Sequence, residues 1–188
     1  MATKSKKMHS APFKTPLRLN IGCGPDLKSG YINLDGFDYP NLDVKHNLNQ
    51  FPYPFKDNTF EEILCSHVIE HLDPQNHLQV FKELHRISKP GAVITIKVPH
   101  FSAVIAKTHL THYKLFGFRT LDVICDNIPG PEKYLRGYFK EISKEIYFNK
   151  MKGFCKLFSI DHYERFISRL IPALEVEIKL QVIKHGKT

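Results

Sequence analysis

The run Leu17-Arg18-Leu19-Asn20-Ile21-Gly22-Cys23-Gly24-Pro25 decides the fold. An apolar strand over Leu17–Ile21 leads straight into Gly-Cys-Gly. Glycines at the end of a strand let backbone N–H groups approach a ligand with no Cβ in the way. A second strand is expected at Tyr31-Ile32-Asn33-Leu34-Asp35, and it ends on a carboxylate. A carboxylate at the tip of the neighbouring strand accepts hydrogen bonds from a ribose diol. Strand, Gly-x-Gly, strand and Asp together point to a cofactor that contains a nucleoside.

Working outward, Leu42–His46 reads as a short third strand, followed by a loop broken by Pro52 and Pro54. Phe60–Ser66 reads as a fourth strand. Asp73-Pro74 is a helix start, with Asp as N-cap and Pro at the first helical position. Leu78, Phe81, Leu84 and Ile87 then give one apolar helix face, and Lys89-Pro90-Gly91 stops it. Ala92–Pro99 is β-branched nearly throughout and mostly apolar, as suits an interior parallel strand. The pattern loosens over about 101–138, which reads as a lid or insertion with a helical turn or two. Phe139–Phe148 is ambiguous, with strand favoured from Ile142 on. Asp161-His162-Tyr163-Glu164 resembles a capping box, with Tyr163, Phe166, Ile167 and Leu170 as a helical face. Val176, Ile178, Leu180 and Val182 alternate with polar residues, predicting a half-exposed final strand antiparallel to the rest. Residues 1–16 read as a disordered basic arm and 17–188 as a single domain.

Five stretches in this order resemble class I S-adenosylmethionine-dependent methyltransferases, closest to the small type 11-like group. They are Leu19-Asn20-Ile21-Gly22-Cys23-Gly24, Asn33-Leu34-Asp35, Phe55–Ile63, Ser66-His67-Val68-Ile69-Glu70-His71, and Arg86–Ala92. The resemblance covers about residues 17–100. It implies an α/β, Rossmann-like sheet, mostly parallel with an antiparallel C-terminal strand, and S-adenosyl-L-methionine as cofactor. It places Gly22, Cys23 and Gly24 under the methionine and ribose, and Asp35 on the ribose hydroxyls. Asn47 and Leu48 would border the adenine, and Ser66 and His67 would face the methionine moiety. Two departures stand out. Pro25–Gly30 and Gly36–Asn41 are too short for the helices that normally follow the first two strands, so those connections must be pared to turns. The family commonly has Asp where this chain has Asn47. Shortened connections would leave one sheet face without its usual cover, so residues 101–160 or a second subunit in a homodimer are expected to cover it.

The bulk properties fit such an enzyme. At 188 residues, with 42% hydrophobic and 24% charged residues, the chain matches one soluble domain. No apolar run approaches the roughly 20 residues of a membrane span, and the polar, basic start has no secretory apolar core. Cys23, Cys65, Cys125 and Cys155 lie far apart with no CxxC, as reduced thiols of a cytoplasmic protein would. The net charge is +8, with the excess in the first 16 residues and the C-terminal half. That favours an anionic acceptor, small molecule or nucleic acid.

Methyl transfer needs an aligned acceptor, and a base helps when the nucleophile carries a proton. Histidines at or after strand ends are the candidates, in the order His71, His112, His109. The segment His67-Val68-Ile69-Glu70-His71 also fits the H-x-x-E-H pattern of zinc peptidases, which needs both histidines on one helix face. With a new helix starting at Asp73, no metal is expected. A third reading is a non-catalytic module that binds RNA or a protein partner, since 13 of the 22 Phe and Tyr residues lie in the basic half. Cofactor affinity distinguishes it from the enzyme.

Overall fold

The computed structural model describes residues 17–125, 135, 137–148 and 158–184. The basic arm, part of the lid and Cys155 lie outside the described residues. Seven strands form one sheet: β1 (Arg18–Ile21), β2 (Ile32–Asp35), β3 (Val44–Lys45), β4 (Phe60–Ser66), β5 (Ser88–Pro99), β6 (Phe139–Tyr147) and β7 (Glu175–Val182). Their order is β3-β2-β1-β4-β5-β7-β6. The first five neighbours run parallel, and β7 is antiparallel to both β5 and β6. This is the expected mostly parallel sheet with a reversed C-terminal strand. Period-two burial sets its faces: Val176, Ile178, Leu180 and Val182 are buried, while the residues between them stay half-exposed.

One face carries the core. Helix α1 (His77–Ile87) lies on it and buries Val80, Phe81, Glu83, Leu84 and Ile87. Its start is built as the sequence predicts. Asp73 Oδ1 accepts the Gln75 N–H at 2.9 Å, and Pro74 opens a 3-10 turn, Pro74–Asn76, that leads into α1. Buried Glu83 is held by Arg86, with Oε2 2.7 Å from Nη2, and by the Tyr53 N–H at 2.7 Å. Arg86 also donates to the carbonyl oxygens of Tyr53 and Phe55, so one ion pair pins the proline-broken loop to the helix. The helix stop is also the strand start. β5 begins at Ser88, and pairing jumps from Phe60–Ser88 to Glu62–Val93, so Lys89-Pro90-Gly91 bulges out, with Gly91 at φ 77°.

The first two crossovers contain no helix, and the physical reason lies in the strands. Asn20 and Asn33 are paired neighbours on the other sheet face, and both are buried. Asn20 Nδ2 donates to Asn33 Oδ1 and to the Asp26 carbonyl, each at 3.0 Å. Asn33 Oδ1 also accepts the Lys28 N–H at 2.8 Å, and the Asn33 N–H donates to Asp43 Oδ2 at 2.8 Å. Buried polar groups satisfied this way tie a short turn to a sheet where an apolar helix face would otherwise be needed. Farther along, the same face carries the pairs Arg18–Glu62 at 3.2 Å and Lys97–Glu177 at 2.7 Å. Among the described residues this face thus carries many polar groups, which lessens the need for the cover expected from residues 101–160 or a second subunit. Among the described residues of that stretch, Phe116, Leu121 and Ile124 join the core on the α1 side.

The C-terminal third departs from expectation in one place. The N-cap is Ser159, whose Oγ accepts the His162 N–H at 3.3 Å, rather than Asp161. The helical turn Ile160–His162 widens into a π turn, Tyr163–Ile167, closed by Ser168 N–H to the Tyr163 carbonyl at 2.8 Å. The extra residue per turn rotates the 3.6-residue face. Tyr163 is buried as predicted, but Phe166 and Leu170 face solvent.

Candidate active site

Parallel strands deliver their C-terminal ends to one edge, where ligands of α/β sheets bind. At the end of β1 the chain turns through Gly22 and Gly24, both in the left-handed region at φ 65° and 53°. Gly22 and Cys23 donate their N–H groups to the Leu34 carbonyl at 2.7 and 3.1 Å. Gly24 donates its N–H to Asp35 Oδ2 at 2.8 Å, and the Phe37 N–H donates to Asp35 Oδ1 at 2.9 Å. The elbow and the carboxylate therefore face one another directly. Each oxygen of Asp35 accepts one backbone N–H, which aims the group and leaves acceptor capacity for ligand hydroxyls.

The two glycines differ in surroundings. A Cβ on Gly22 would lie 2.4 Å from the Val68 side chain, so the turn after β4 packs directly on it. A Cβ on Gly24 would meet nothing within 4 Å. Gly36 lies against the His46 carbonyl and Asn47, which brings the third strand end beside Asp35. Asn47 Oδ1 accepts the Asn49 N–H at 2.9 Å, and Leu48 is buried in the core with its carbonyl accepting from Tyr53 Oη. Cys23 is buried, and burial, followed by the charge of Asp35, pushes its thiol up to about 11. It remains a neutral packing group rather than a nucleophile.

The turn after β4 splits its two histidines. His67, at φ 56°, points back to β7: its Nε2 is 2.8 Å from Glu175 Oε2 and its Nδ1 3.5 Å from Glu70 Oε1. Glu70 first, with Glu175, holds the His67 ring above the usual imidazole range. His71 closes the 3-10 turn Ile69–His71 and points the other way, to the lid. Beyond β5 the lid forms helix α2 (Val104–Thr108) and a tight turn carrying His109 and His112. The Tyr113 N–H donates to the Glu70 carbonyl at 2.8 Å and fastens that turn to the strand-four side. The rings of His71, His109 and His112 lie 4.6–5.2 Å apart between centroids. Burial holds the His71 ring below the usual imidazole range. His67 and His71 therefore do not converge, and the turn is not the single helix that H-x-x-E-H zinc chemistry needs, so the peptidase reading has no geometric basis.

The methyltransferase domain family matches residues 19–96. An uncharacterized protein of Methanocaldococcus jannaschii is 31% identical over 114 residues, 53% of this chain and 48% of that protein. A demethylmenaquinone methyltransferase of Lysinibacillus sphaericus is 27% identical over 104 residues, 55% of this chain and 33% of that enzyme. The chain thus spans about half of the first relative and a third of the second. A SAM-dependent methyltransferase of Archaeoglobus fulgidus superposes with a TM-score of 0.62 at 19% identity, covering 90% of this chain and 87% of that one. Residues 19–96 thus resemble a methyltransferase domain, and the fold is that of a SAM-dependent methyltransferase.

The residues at this edge fit S-adenosylmethionine, the cofactor that goes with the matched domain. The space beside Gly24 is open, and Asp35 presents acceptors next to it. Of the residues named from the sequence, the structure brings Gly22, Cys23, Gly24, Asp35 and Asn47 to one place. It sets Ser66 half-buried at the end of β4, with His67 turned toward Glu175. His71, His109 and His112 form a second group.

Sequence reasoning missed three residues of this candidate site. Val68 caps Gly22, a contact between strands that carries no local signal. Thr111 joins two of the lid rings: Nδ1 of His71 is 2.7 Å from its Oγ1, and Nδ1 of His109 is 3.1 Å from the same atom. Glu70 is fully buried with neither carboxylate oxygen hydrogen-bonded, and its position inside the His67–His71 motif was the available signal. His100, by contrast, is structural. It is fully buried, accepts the Ser102 N–H at Nδ1, and reaches Glu164 Oε1 at 3.0 Å through Nε2. That pattern assigns the proton to Nε2.

Proposed function

We propose that the protein transfers a methyl group from S-adenosylmethionine to an anionic acceptor that enters over the C-terminal strand ends, under the lid. The observation that carries this reading is the 2.8 Å bond from Gly24 N–H to Asp35 Oδ2, with open space at Gly24. Gly22, Cys23, Gly24, Asp35, Asn47 and Leu48 hold the adenosine end in this reading, and Ser66 and His67 border the methionine end. The cofactor supplies an activated methyl group on a sulfonium, with a neutral thioether as leaving group. The chain aligns the acceptor and excludes water. His71, His109 and His112 take up the acceptor's proton, His71 being kept neutral by burial. Exposed Lys107 and Lys114 flank these rings on the lid and favour an anion, while Leu110, 94% exposed, and Tyr113 offer apolar contact to its body. Cys23 and Cys65 are free thiols, and no helix among the described residues is long and apolar enough to cross a membrane. Both fit our placement of the protein in the cytoplasm.

Calorimetric titration with S-adenosylmethionine and S-adenosylhomocysteine tests the reading. Saturable binding by the wild type that drops about tenfold or more in Asp35→Ala supports it, since an acceptor for charged or strongly polarised hydroxyls is worth about 1.5–3 kcal/mol. A salt-sensitive RNA complex with no cofactor affinity would overturn it in favour of the non-catalytic module. Transfer of labelled methyl to a panel of anionic acceptors then identifies the substrate class.

A further inference from the structure

The lid histidines carry more than a base. Three imidazoles from two separate chain segments, the turn after β4 and the turn after α2, each bring a ring nitrogen within 4.8 Å of the other two. Nothing in the fold requires this. His109 is exposed, and His71 and His112 are half-buried, so the rings serve no core. Exposed imidazoles also gain little from crowding one another. A tetrahedral ion with Zn–N bonds of about 2.0–2.1 Å spaces its ligand nitrogens about 3.4 Å apart, so the turn need tighten by at most about 1.4 Å.

The supporting groups are also those of a metal site. Nδ1 of His71 is 3.2 Å from the Thr111 carbonyl oxygen and 2.7 Å from Thr111 Oγ1. Carbonyl oxygen only accepts, so Nδ1 carries the proton and Nε2 the lone pair. Ligating histidines are oriented by this kind of bond from the opposite ring nitrogen. Beside His71, Glu70 is buried with both carboxylate oxygens lacking a hydrogen bond. Its ion-pair partner is His67, whose Nδ1 lies 3.5 Å from Oε1.

We propose that His71, His109 and His112 form a binding site for one divalent ion of the zinc class, with an open coordination position toward solvent. Imidazole donors suit zinc, cobalt and nickel, whereas magnesium and calcium need oxygen ligands. Three protein ligands leave the fourth position for water or an acceptor oxygen. Val68, which packs on Gly22, is three residues from His71, so the backbones of Val68 and His71 lie within about 11 Å of one another. In catalysis the bound ion would polarise the acceptor oxygen in place of proton uptake by these rings, whose lone pairs it would occupy. That role rests on the methyl-transfer reading; the binding of the ion does not.

The test uses the full chain, stripped with a chelator and titrated with zinc chloride by calorimetry. One zinc per chain is expected, with affinity lost roughly tenfold or more in His109→Ala and in His112→Ala. Thr111→Val should weaken it by about tenfold as an orienting group. His162→Ala, an exposed histidine elsewhere, should leave it unchanged. Cobalt loading should give visible d–d absorption that both lid variants lose. Magnesium should not compete. Absence of stoichiometric zinc binding, or binding indifferent to the two lid variants, overturns the proposal. Zinc binding without cofactor binding would leave the metal site standing and remove the methyl-transfer reading; cofactor binding without zinc would do the reverse.

Discussion

Two glycines two positions apart are under different constraints, and substitution separates them. Gly22→Ala places a Cβ 2.4 Å from Val68 in a left-handed conformation. Left-handed strain of about 1–2 kcal/mol and overpacking of about 1–3 kcal/mol both apply. Denaturant unfolding should show about 3 kcal/mol lost. Val68→Ala in the same chain should restore the overpacking part, a coupling that independent sites do not show. Gly24→Ala meets no neighbour and should cost only the strain, about 1–2 kcal/mol, while still lowering cofactor affinity because its Cβ enters the open cradle. Equal stability losses for the two variants would contradict this account. The glycine pair and Asp35 were legible in the sequence because their spacing is local chemistry. Val68 was not, because nothing in the chain between residues 22 and 68 announces that the two touch.

At the scale of elements, the fold depends on how α1 and the proline-broken loop hold each other. Glu83 is buried, and its carboxylate accepts from Arg86 and from Tyr53 N–H. Arg86→Ala would leave a buried carboxylate without its cation. Removing one partner of such a pair costs about 3–5 kcal/mol; with Arg86 partly exposed, the lower end of that range is expected by chemical denaturation. Replacing Asp57, the exposed outer partner of Arg86, by Asn should cost under about 1 kcal/mol. The sequence showed the helix and its caps, since Asp73, Pro74 and the three-residue apolar spacing act locally. It did not show the π turn at Tyr163–Ile167, whose register shift moved Phe166 and Leu170 to the surface. Nor did it show that Asn20 and Asn33 stand in for the missing crossover helices.

Across the whole molecule, titratable groups on different elements bound the pH range of stability. Glu83 and Glu177 are held below the usual carboxylate range against burial, by Arg86 and by Lys97 respectively. Their contribution is present above the ordinary carboxylate pKa and is lost as pH falls through their lower folded values. His67 is held above the usual imidazole range by Glu70 and Glu175. Its contribution is complete below the ordinary histidine pKa, about 6.5, and is lost as pH rises through its folded value. A plateau bounded on both sides should appear in unfolding free energy measured from pH 3 to 9. His67→Gln should remove the alkaline decline attributed to this clamp between β4 and β7 and leave the acid limb in place. An unchanged alkaline limb in that variant would show that the clamp contributes nothing.

From the chain alone came the strand-glycine-strand-aspartate signal, the helix caps and the reversed last strand, because each is written in residues that are neighbours or follow a fixed period. Only the tertiary structure joined the turn after β4 to the lid, setting His71 beside His109 and His112 and His67 beside Glu175. Those meetings depend on sheet order and loop path, through which residues 40 to 108 positions apart become neighbours. Linear spacing carries no record of them.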